Sequence, residues 1–351
     1  MGYQSLKPKR AIDPAKPLFM REPLVRGPEP IVYAAGSYEF IFDRWKTVTK
    51  AEWMEKTTCH HHLTSFAEFA RNGRDEYVQQ WLDLGCHMFL DSGAFTFQRW
   101  GIVPTKGRVK KYNLFSKSSV ERDEYIEKYI EHCRTKGHKY DCYANFDYRP
   151  DSALVYKMQK HLEAGGIYPF PVEHGDDGLL RFRRYIDEGY KFFGISKALR
   201  WGSRDRAIKF YEQVFNVAAK HDVFLHGFAV TDVELVFRFP WYSVDSTTWL
   251  QLSKTGSVVS VMEGRCIPVH VTRRQTQQHT QMEEGVLDWL KSNVSSLGFD
   301  FEKMRYGGSE SVPNQEGFVE RGMYNIYVLS HLKELGVKMT GGEKRWKSLL
   351  G

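Results

Sequence analysis

The sequence has few cysteines and no arrangement that would pair them. Its five cysteines are an odd number, they are widely spaced, and no two of them form a Cys-x-x-Cys pair. This distribution argues against a disulfide scaffold and favours a reducing compartment. We therefore expect a cytoplasmic protein.

Long apolar runs are also missing. No segment is long and apolar enough to cross a bilayer, so no membrane association is expected. The first residues carry Lys7, Lys9 and Arg10, but no apolar stretch follows them, which argues against a secretory signal.

Apolar and basic residues, by contrast, are plentiful. Of the 351 residues, 42% are hydrophobic, which is enough for the core of one large domain. Lys and Arg number 50 against 43 Asp and Glu, giving a formal net charge of +7. This excess favours an anionic partner such as a nucleic acid.

One apolar run leads directly into an acidic residue. Residues 88–90 are Met-Phe-Leu, and Asp91 follows, then Ser92 and Gly93. An unbroken apolar run predicts a strand buried on both faces, as in a parallel sheet, and Ser-Gly ends it. Asp91 would then lie at the carboxyl end of the strand, where parallel α/β folds bind ligands. A helix-capping aspartate is the equally weighted alternative.

The same pattern recurs along the chain. Further apolar runs that end in polar residues occupy 143–147, 167–174, 192–196, 223–228 and 241–246, and 31–37 fits a first strand and turn. Between them lie segments with helical spacing, at 68–84, 123–134, 151–162, 179–186, 206–221 and 232–237. This alternation predicts an α/β fold with a (β/α)8 TIM-like barrel over residues 31–270.

The two ends of the chain differ from the predicted barrel. Residues 1–30 are rich in Pro, Lys and Arg and suggest a basic extended arm, either solvated or lying along a phosphate backbone. Residues 257–262 and 267–271 suggest a β pair, and 283–294 and 315–335 suggest helices. We therefore expect a C-terminal helical extension, 271–351, packed on the barrel.

The run Cys59-His60-His61-His62 invites a metal assignment. Adjacent residues rarely point at one ion, and zinc sites use separated pairs. A histidine cluster at the start of a helix is the favoured interpretation.

A long basic loop is predicted at 98–115. Aromatic residues are interleaved with its charges, which suits base stacking together with phosphate contact. A solvated loop is the alternative interpretation. The candidate nucleic-acid-binding residues are Arg99, Lys106, Arg108, Lys110 and Lys111.

Three predicted strands end in aspartate: Asp91, Asp147 and Asp245. Paired carboxylates carry out glycosyl transfer, one as nucleophile and the other as acid and base. The same oxygens could instead hold Mg²⁺. The positions alone leave both chemistries open.

Several of these segments together resemble a known family. Residues 91–95, Asp-Ser-Gly-Ala-Phe, resemble the Asp-Ser-Gly-Gly-Phe motif of queuine-type tRNA-guanine transglycosylases, and Phe146-Asp147 resembles their base-recognition Phe-Asp. Val-Glu-His-Gly at 172–175 corresponds to their Val-Gln-Gly-Gly. The segments 226–231 and 243–246 resemble their Met-Gly-Val-Gly-Thr segment and the nucleophilic aspartate after it. The order agrees over about residues 85–250.

The sequence also departs from this family. The family's C-terminal Cys-x-Cys-x-x-Cys plus His zinc site is missing, because only Cys266 and His270 stand there, so no zinc or other cofactor is expected. Ala94 replaces a motif glycine, and Glu173 or His174 replaces a glutamine. These differences resemble the phage-type relatives that insert 7-deazaguanines such as preQ0 into DNA.

The resemblance implies a role for each strand-end residue. Asp245 would attack C1′ of a guanine nucleotide, and Asp91 would be the general acid and then the base. Asp147 would bind the N–H groups of the base, Glu173 or His174 its opposite edge, and backbone N–H groups near Ser196 and Gly227 its carbonyl or cyano side. The substrate-binding set implied is Asp147, Glu173, His174, Ser196, Gly227, Ser92 and Phe95.

The implied partners are DNA and a free 7-deazaguanine base. Three alternatives stay open: a tRNA substrate, a metal-dependent barrel hydrolase or lyase using the same aspartates, and a binding protein without catalysis. In a phage, the expected compartment would be the host cytoplasm.

Overall fold

The computed structural model describes most of the chain. The described residues are 13–27, 29–36, 42, 48–72, 76–94, 97, 119–147, 152–175, 177–196, 204–230, 232–272, 284–305 and 316–337. Phe95 and all five candidate loop residues, Arg99, Lys106, Arg108, Lys110 and Lys111, lie outside these ranges. Their predicted roles stay predictions.

Eight strands of the described chain form one parallel sheet. They are β1 Ile31–Ala35, β2 His61–Ser65, β3 His87–Asp91, β4 Cys142–Tyr143, β5 Val172–Glu173, β6 Phe192–Ile195, β7 Phe224–Gly227 and β8 Ser243–Ser246. Their order in the sheet is β4-β3-β2-β1-β8-β7-β6-β5. Two more strands, β9 Ser257–Met262 and β10 Arg265–His270, pair antiparallel, as the sequence predicted.

The sheet confirms the α/β class but not a closed barrel. Regular pairing is interrupted between β4 and β5. At that point the described residues form a single parallel bridge, between Ala144 and Phe170. The structure therefore has a parallel sheet flanked by helices, which is consistent with a TIM-like fold in which the barrel is left open.

Helices follow most of the strands. In the described chain they are α1 Lys50–Thr57, α2 Phe66–Asn72, α3 Glu76–Asp83, α4 Ser119–Lys136, α5 Ser152–Ala164, α6 Leu180–Asp187, α7 Arg204–His221, α8 Val233–Arg238, α9 Thr248–Lys254, α10 Glu284–Ser296, α11 Phe301–Met304 and α12 Glu316–Ser330. All segments predicted from helical spacing overlap a helix, and 68–84 covers part of α2 and all of α3. None of the described helices is long and apolar enough to span a membrane.

The histidine run does not begin a helix. His61 and His62 start strand β2, so that prediction is wrong. His62 is fully buried and packs on the ring of Trp81, with 4.2 Å between ring centroids. Alternation along a short strand turns this imidazole inward, a pattern that the helical interpretation missed.

By contact density, the chain divides into two compact units. The first comprises Met1–Leu24, Ser65–Gly73 and Leu90–Phe170. The second comprises Val25–Thr64, Arg74–Phe89 and Pro171–Gly351. Asp91, Ser92 and Asp147 therefore belong to the first unit, and the other described candidate residues belong to the second.

In the first unit, part of the N-terminal segment is bound to the protein itself. The backbone N–H groups of Leu18 and Phe19 each donate to a carbonyl oxygen over 2.9 Å, those of Tyr140 and Asp141 respectively. The hydroxyl of Tyr143 donates to the carbonyl of Ala15 over 2.7 Å. These bonds hold residues 15–19 against the unit.

In the second unit, polar side chains of α12 fix the C-terminal helices. The amide of Asn325 accepts from the N–H of Val259 over 2.7 Å and donates to the carbonyls of Trp249 and Ser257. The guanidinium of Arg321 is fully buried and donates twice to the carbonyl of Ser253. Helix α12 is thereby joined to both α9 and β9.

The buried imidazole of His62 predicts an acid-sensitive fold. Burial, together with the neighbouring His61, lowers the pKa of His62 from 6.5 to about 3. Unfolding therefore takes up a proton between these two pH values, so stability should fall as pH falls below 6.5, by on the order of 2 kcal/mol at pH 4.5. Chemical denaturation across pH 4.5–7.5 measures this. As pH falls, the free energy of unfolding should decrease less in His62→Gln than in wild type.

The exposed His161 on α5 offers a matched control. His161→Gln should keep the wild-type dependence of unfolding free energy on pH. If the free energy of unfolding depended on pH identically in wild type and His62→Gln, His62 would not be the source of the acid sensitivity.

Candidate active site

Three polar side chains share one face of the sheet at β7 and β8. Ser243 and Asp245 are two residues apart on β8, and alternation along a strand places them on the same face. His226 of β7 is opposite Ser243 in the parallel register. Ser243 and His226 are fully buried, and Asp245 is 6% exposed.

Hydrogen bonds link these three side chains in the order Ser243, His226, Asp245. Nδ1 of His226 lies 2.8 Å from Oγ of Ser243, and Nε2 lies 3.3 Å from Oδ1 of Asp245. A carboxylate only accepts, so Nε2 carries the hydrogen and donates it to Asp245. Burial lowers the pKa of His226, and the bond to Asp245 offsets this only in part. The neutral ring leaves Nδ1 to accept from the Ser243 hydroxyl.

A strained turn supplies a second donor to the same oxygen. The N–H of Ala229 donates to Oδ1 of Asp245 over 2.7 Å. Ala229 has φ of 52°, a left-handed conformation that is uncommon for residues other than glycine and is concentrated at functional sites. At Gly227, a Cβ would lie 2.7 Å from Cγ2 of Val230. The tight turn therefore requires glycine there.

The second oxygen of Asp245 is left open. Oδ2 accepts no hydrogen bond from any residue that the structure describes, and the side chain keeps 8% of its surface exposed. One oxygen is fixed by two donors, and the other has none within the described part of the chain. This is the arrangement that a carboxylate nucleophile needs.

A second buried carboxylate lies at the end of β5. Oε1 of Glu173 accepts from the N–H groups of His174 and Gly175 over 2.8 and 2.7 Å, and from Nη2 of Arg181 over 3.0 Å. Burial raises the pKa of Glu173, opposed chiefly by the charge of Arg181. Oε2 is buried and has no hydrogen-bond partner among the described residues.

These contacts constrain the predicted base-reading residues. Glu173 has only Oε2 left to receive a ligand, and His174 is buried beside it. The N–H of Ser196 donates to the carbonyl of Glu173 over 2.8 Å. The N–H of Ser196 itself is therefore used by pairing between the strand ends, and the predicted contact of backbone N–H groups near Ser196 and Gly227 with the base stays a prediction.

In the first unit, Asp91 ends β3 and shapes the turn that follows. Its Oδ2 accepts from the N–H of Gly93 over 3.0 Å. Gly93 has φ of 75°, and a Cβ there would lie 2.7 Å from the backbone nitrogen of Ala67. The carboxylate thus has a local backbone partner, while its residue is still partly exposed.

The residues around Asp91 are mostly structural. Ser92 is fully buried, its Oγ accepts from the N–H of Ala94 over 3.4 Å, and its carbonyl accepts from the hydroxyl of Tyr125 over 2.7 Å. Burial and the nearby charge of Asp91 raise the pKa of Tyr125. Ser92 therefore supports the turn, and its side chain is not exposed to a ligand.

Asp147 lies four residues beyond β4 and is partly exposed. The preceding Phe146 is fully buried and packs against Tyr125 and Phe97, with centroid distances of 5.5 and 5.9 Å. The buried ring anchors the chain next to Asp147.

The sequence did not assign a role to four residues of these clusters, Ser243, His226, Ala229 and Arg181. His226 lies in the predicted strand 223–228, but the strand pattern gave no sign of its hydrogen-bond partners. Arg181 is one of three arginines in a short helix, and only the helix packing separates it from its exposed neighbour Arg183.

Comparison with family models gave no match for this chain, and comparison with curated proteins gave none either. Within the described ranges, no group of three or more His, Cys, Asp or Glu side chains is placed to hold a metal ion.

The Glu173 cluster predicts a large effect of one arginine on stability. Arg181→Met should leave a buried carboxylate without its cation and lower the free energy of unfolding by about 3–5 kcal/mol. Urea denaturation at pH 7.5 measures this, with exposed Arg183→Met on the same helix as the matched control. Equal stabilities of the two variants would contradict the buried pair.

Proposed function

We propose that this protein is a guanine transglycosylase that exchanges guanine in DNA for a free 7-deazaguanine base. The observation that carries the proposal is the state of Asp245: its Oδ1 is fixed by two donors, and its Oδ2 has no hydrogen-bond partner among the residues that the structure describes. The strand-end motifs that resemble the transglycosylase family support it, because they include this aspartate and Asp91.

The proposed reaction is a double displacement. Oδ2 of Asp245 attacks C1′, the bond from C1′ to N9 of guanine breaks, and Asp91 donates a proton to the leaving base. The incoming 7-deazaguanine then attacks C1′, Asp91 takes its N9 proton, and the bond to Asp245 breaks. Double displacement of this kind uses one carboxylate as the nucleophile and a second carboxyl group as acid and then base.

Base recognition in this proposal depends on acceptors. Asp147 would accept from the amino and ring N–H groups of the base, since a carboxylate has no hydrogen to donate. Oε2 of Glu173, buried and without a described partner, would accept from a further N–H. A buried acceptor that is unpaired discriminates strongly against a ligand without the matching donor.

The polynucleotide is proposed to be DNA, with tRNA as the alternative. A net charge of +7 and the basic segment 98–115, predicted from the sequence to be a loop, support an anionic polymer. The target base must leave the stack to reach a strand-end carboxylate.

The first test concerns the nucleophile. Asp245→Asn keeps an oxygen that can accept from His226 and Ala229, but an amide oxygen is a far weaker nucleophile than a carboxylate. The variant should fold and bind guanine-containing DNA, yet form no covalent complex on denaturing electrophoresis. Asp222→Asn, at an exposed turn after α7, should form the complex as wild type does.

A covalent complex that persists in Asp245→Asn would place the nucleophile elsewhere. Activity that disappears with a chelator and returns with Mg²⁺ would favour the metal-dependent hydrolase or lyase instead.

The second test concerns the basic loop. Arg108, Lys110 and Lys111 are proposed to contact phosphates, so replacing all three by Gln should weaken DNA binding. The slope of log K against log salt should become shallower by about 2–3, because each phosphate contact releases nearly one counterion. Fluorescence anisotropy between 50 and 300 mM salt measures both effects.

The control for this triple variant removes the same number of positive charges from three exposed lysines on α5 and α7. Lys157, Lys209 and Lys220, replaced together by Gln, should leave the slope near that of wild type. If both triple variants change the slope equally, net charge alone determines the binding and the loop has no special contact.

A further inference from the structure

The chain of Ser243, His226 and Asp245 has the composition of a hydrolase triad but the opposite exposure. The serine is fully buried, so it cannot reach a substrate. Of the three hydrogen-bonded side chains, only the carboxylate of Asp245 has exposed surface. The hydrogen bonds therefore lead from a buried hydroxyl to an accessible acid, and they orient Asp245 rather than activate Ser243.

The imidazole itself is held in one orientation. Its ring lies edge-on to the rings of Phe89 and Phe228, with centroid distances of 4.5 and 4.7 Å, and contacts Tyr33 at 6.1 Å. The Ser243 hydroxyl fixes the rotation of the ring plane through Nδ1. A ring packed in this way loses little further entropy when it donates to Asp245.

We propose that His226 is a positioning residue for the nucleophile, and that its neutral imidazole holds Oδ1 of Asp245 so that Oδ2 faces C1′. This inference rests on the proposed function. Ala229 alone would supply one donor, and a single hydrogen bond leaves the carboxylate freer to rotate about its Cβ–Cγ bond. Two donors on the same oxygen select one orientation.

A neutral donor also suits the chemistry. An imidazolium would pair with the carboxylate as an ion and hold its electrons more tightly. A neutral N–H orients the oxygen while the negative charge stays on Asp245. The burial that lowers the pKa of His226 keeps the ring in this form at neutral pH.

Two replacements of similar length separate the hydrogen bond from packing. His226→Gln retains an N–H near the position of Nε2, whereas His226→Met fills similar space without a donor. At saturating DNA, His226→Met should form the covalent complex about 10–100-fold more slowly than wild type, because the reacting oxygen is misplaced. The Gln variant should recover most of the rate, and the DNA affinity of both should match wild type.

Equal rates in the Gln and Met variants, whether fast or slow, would overturn the proposal. If His226→Met does not fold, the protonation of the His226 ring nitrogens in the wild-type protein still tests the proposal. Nitrogen NMR should show a neutral His226 with its hydrogen on Nε2, and Asp245→Asn should shift that resonance. An imidazolium, or a hydrogen on Nδ1, would overturn the proposal.

These measurements distinguish a failure of the proposed function from a failure of the positioning role of His226. If wild type forms no covalent complex with DNA or RNA, the proposed function fails. The NMR experiment on the same protein tests the hydrogen bond from His226 to Asp245 whatever the reaction is.

Discussion

The parallel register between β7 and β8 determines where the carboxylate of Asp245 is held. It places His226 beside Ser243, and the alternation of β8 then brings Asp245 within reach of Nε2. A shift of one residue on either strand would turn these side chains to opposite faces of the sheet. The next two residues after Gly227, Phe228 and Ala229, form a turn that brings the N–H of Ala229 to the same oxygen.

The second unit thus contains two buried carboxylates with the same asymmetry. In both Asp245 and Glu173, one oxygen is bound by several donors and the other has no described partner. Burying Oε2 of Glu173 in this way reduces stability unless something pairs with it. Left-handed turns at Ala229 and Gly175 supply backbone donors to these carboxylates. The unpaired oxygen of Glu173 and the strained turn at Ala229 both reduce stability, which is consistent with a site built to receive a ligand.

The sequence predicted the alternation of strands and helices well, because apolar runs and helical periodicity record burial directly. It misplaced the histidine run, because a five-residue strand has too few alternations to separate it from a helix start. It located Asp91 and Glu173 at the last residues of β3 and β5 and Asp245 one residue before the end of β8, whereas Asp147 lies four residues beyond β4. Their hydrogen bonds could not be predicted, since His226 and Ala229 meet Asp245 only through strand pairing and a strained turn, which local sequence does not encode.

The measurement that tests the central claim most directly is mass spectrometry of nucleosides. DNA and tRNA would be digested from cells that express the protein and are supplied with a 7-deazaguanine. The account predicts a 7-deazaguanine deoxynucleoside in DNA with wild type and none with Asp245→Asn. If the 7-deazaguanine were found in tRNA alone, the substrate polymer would be tRNA and the proposed reaction would still hold. Its absence from both polymers with wild type would contradict the account.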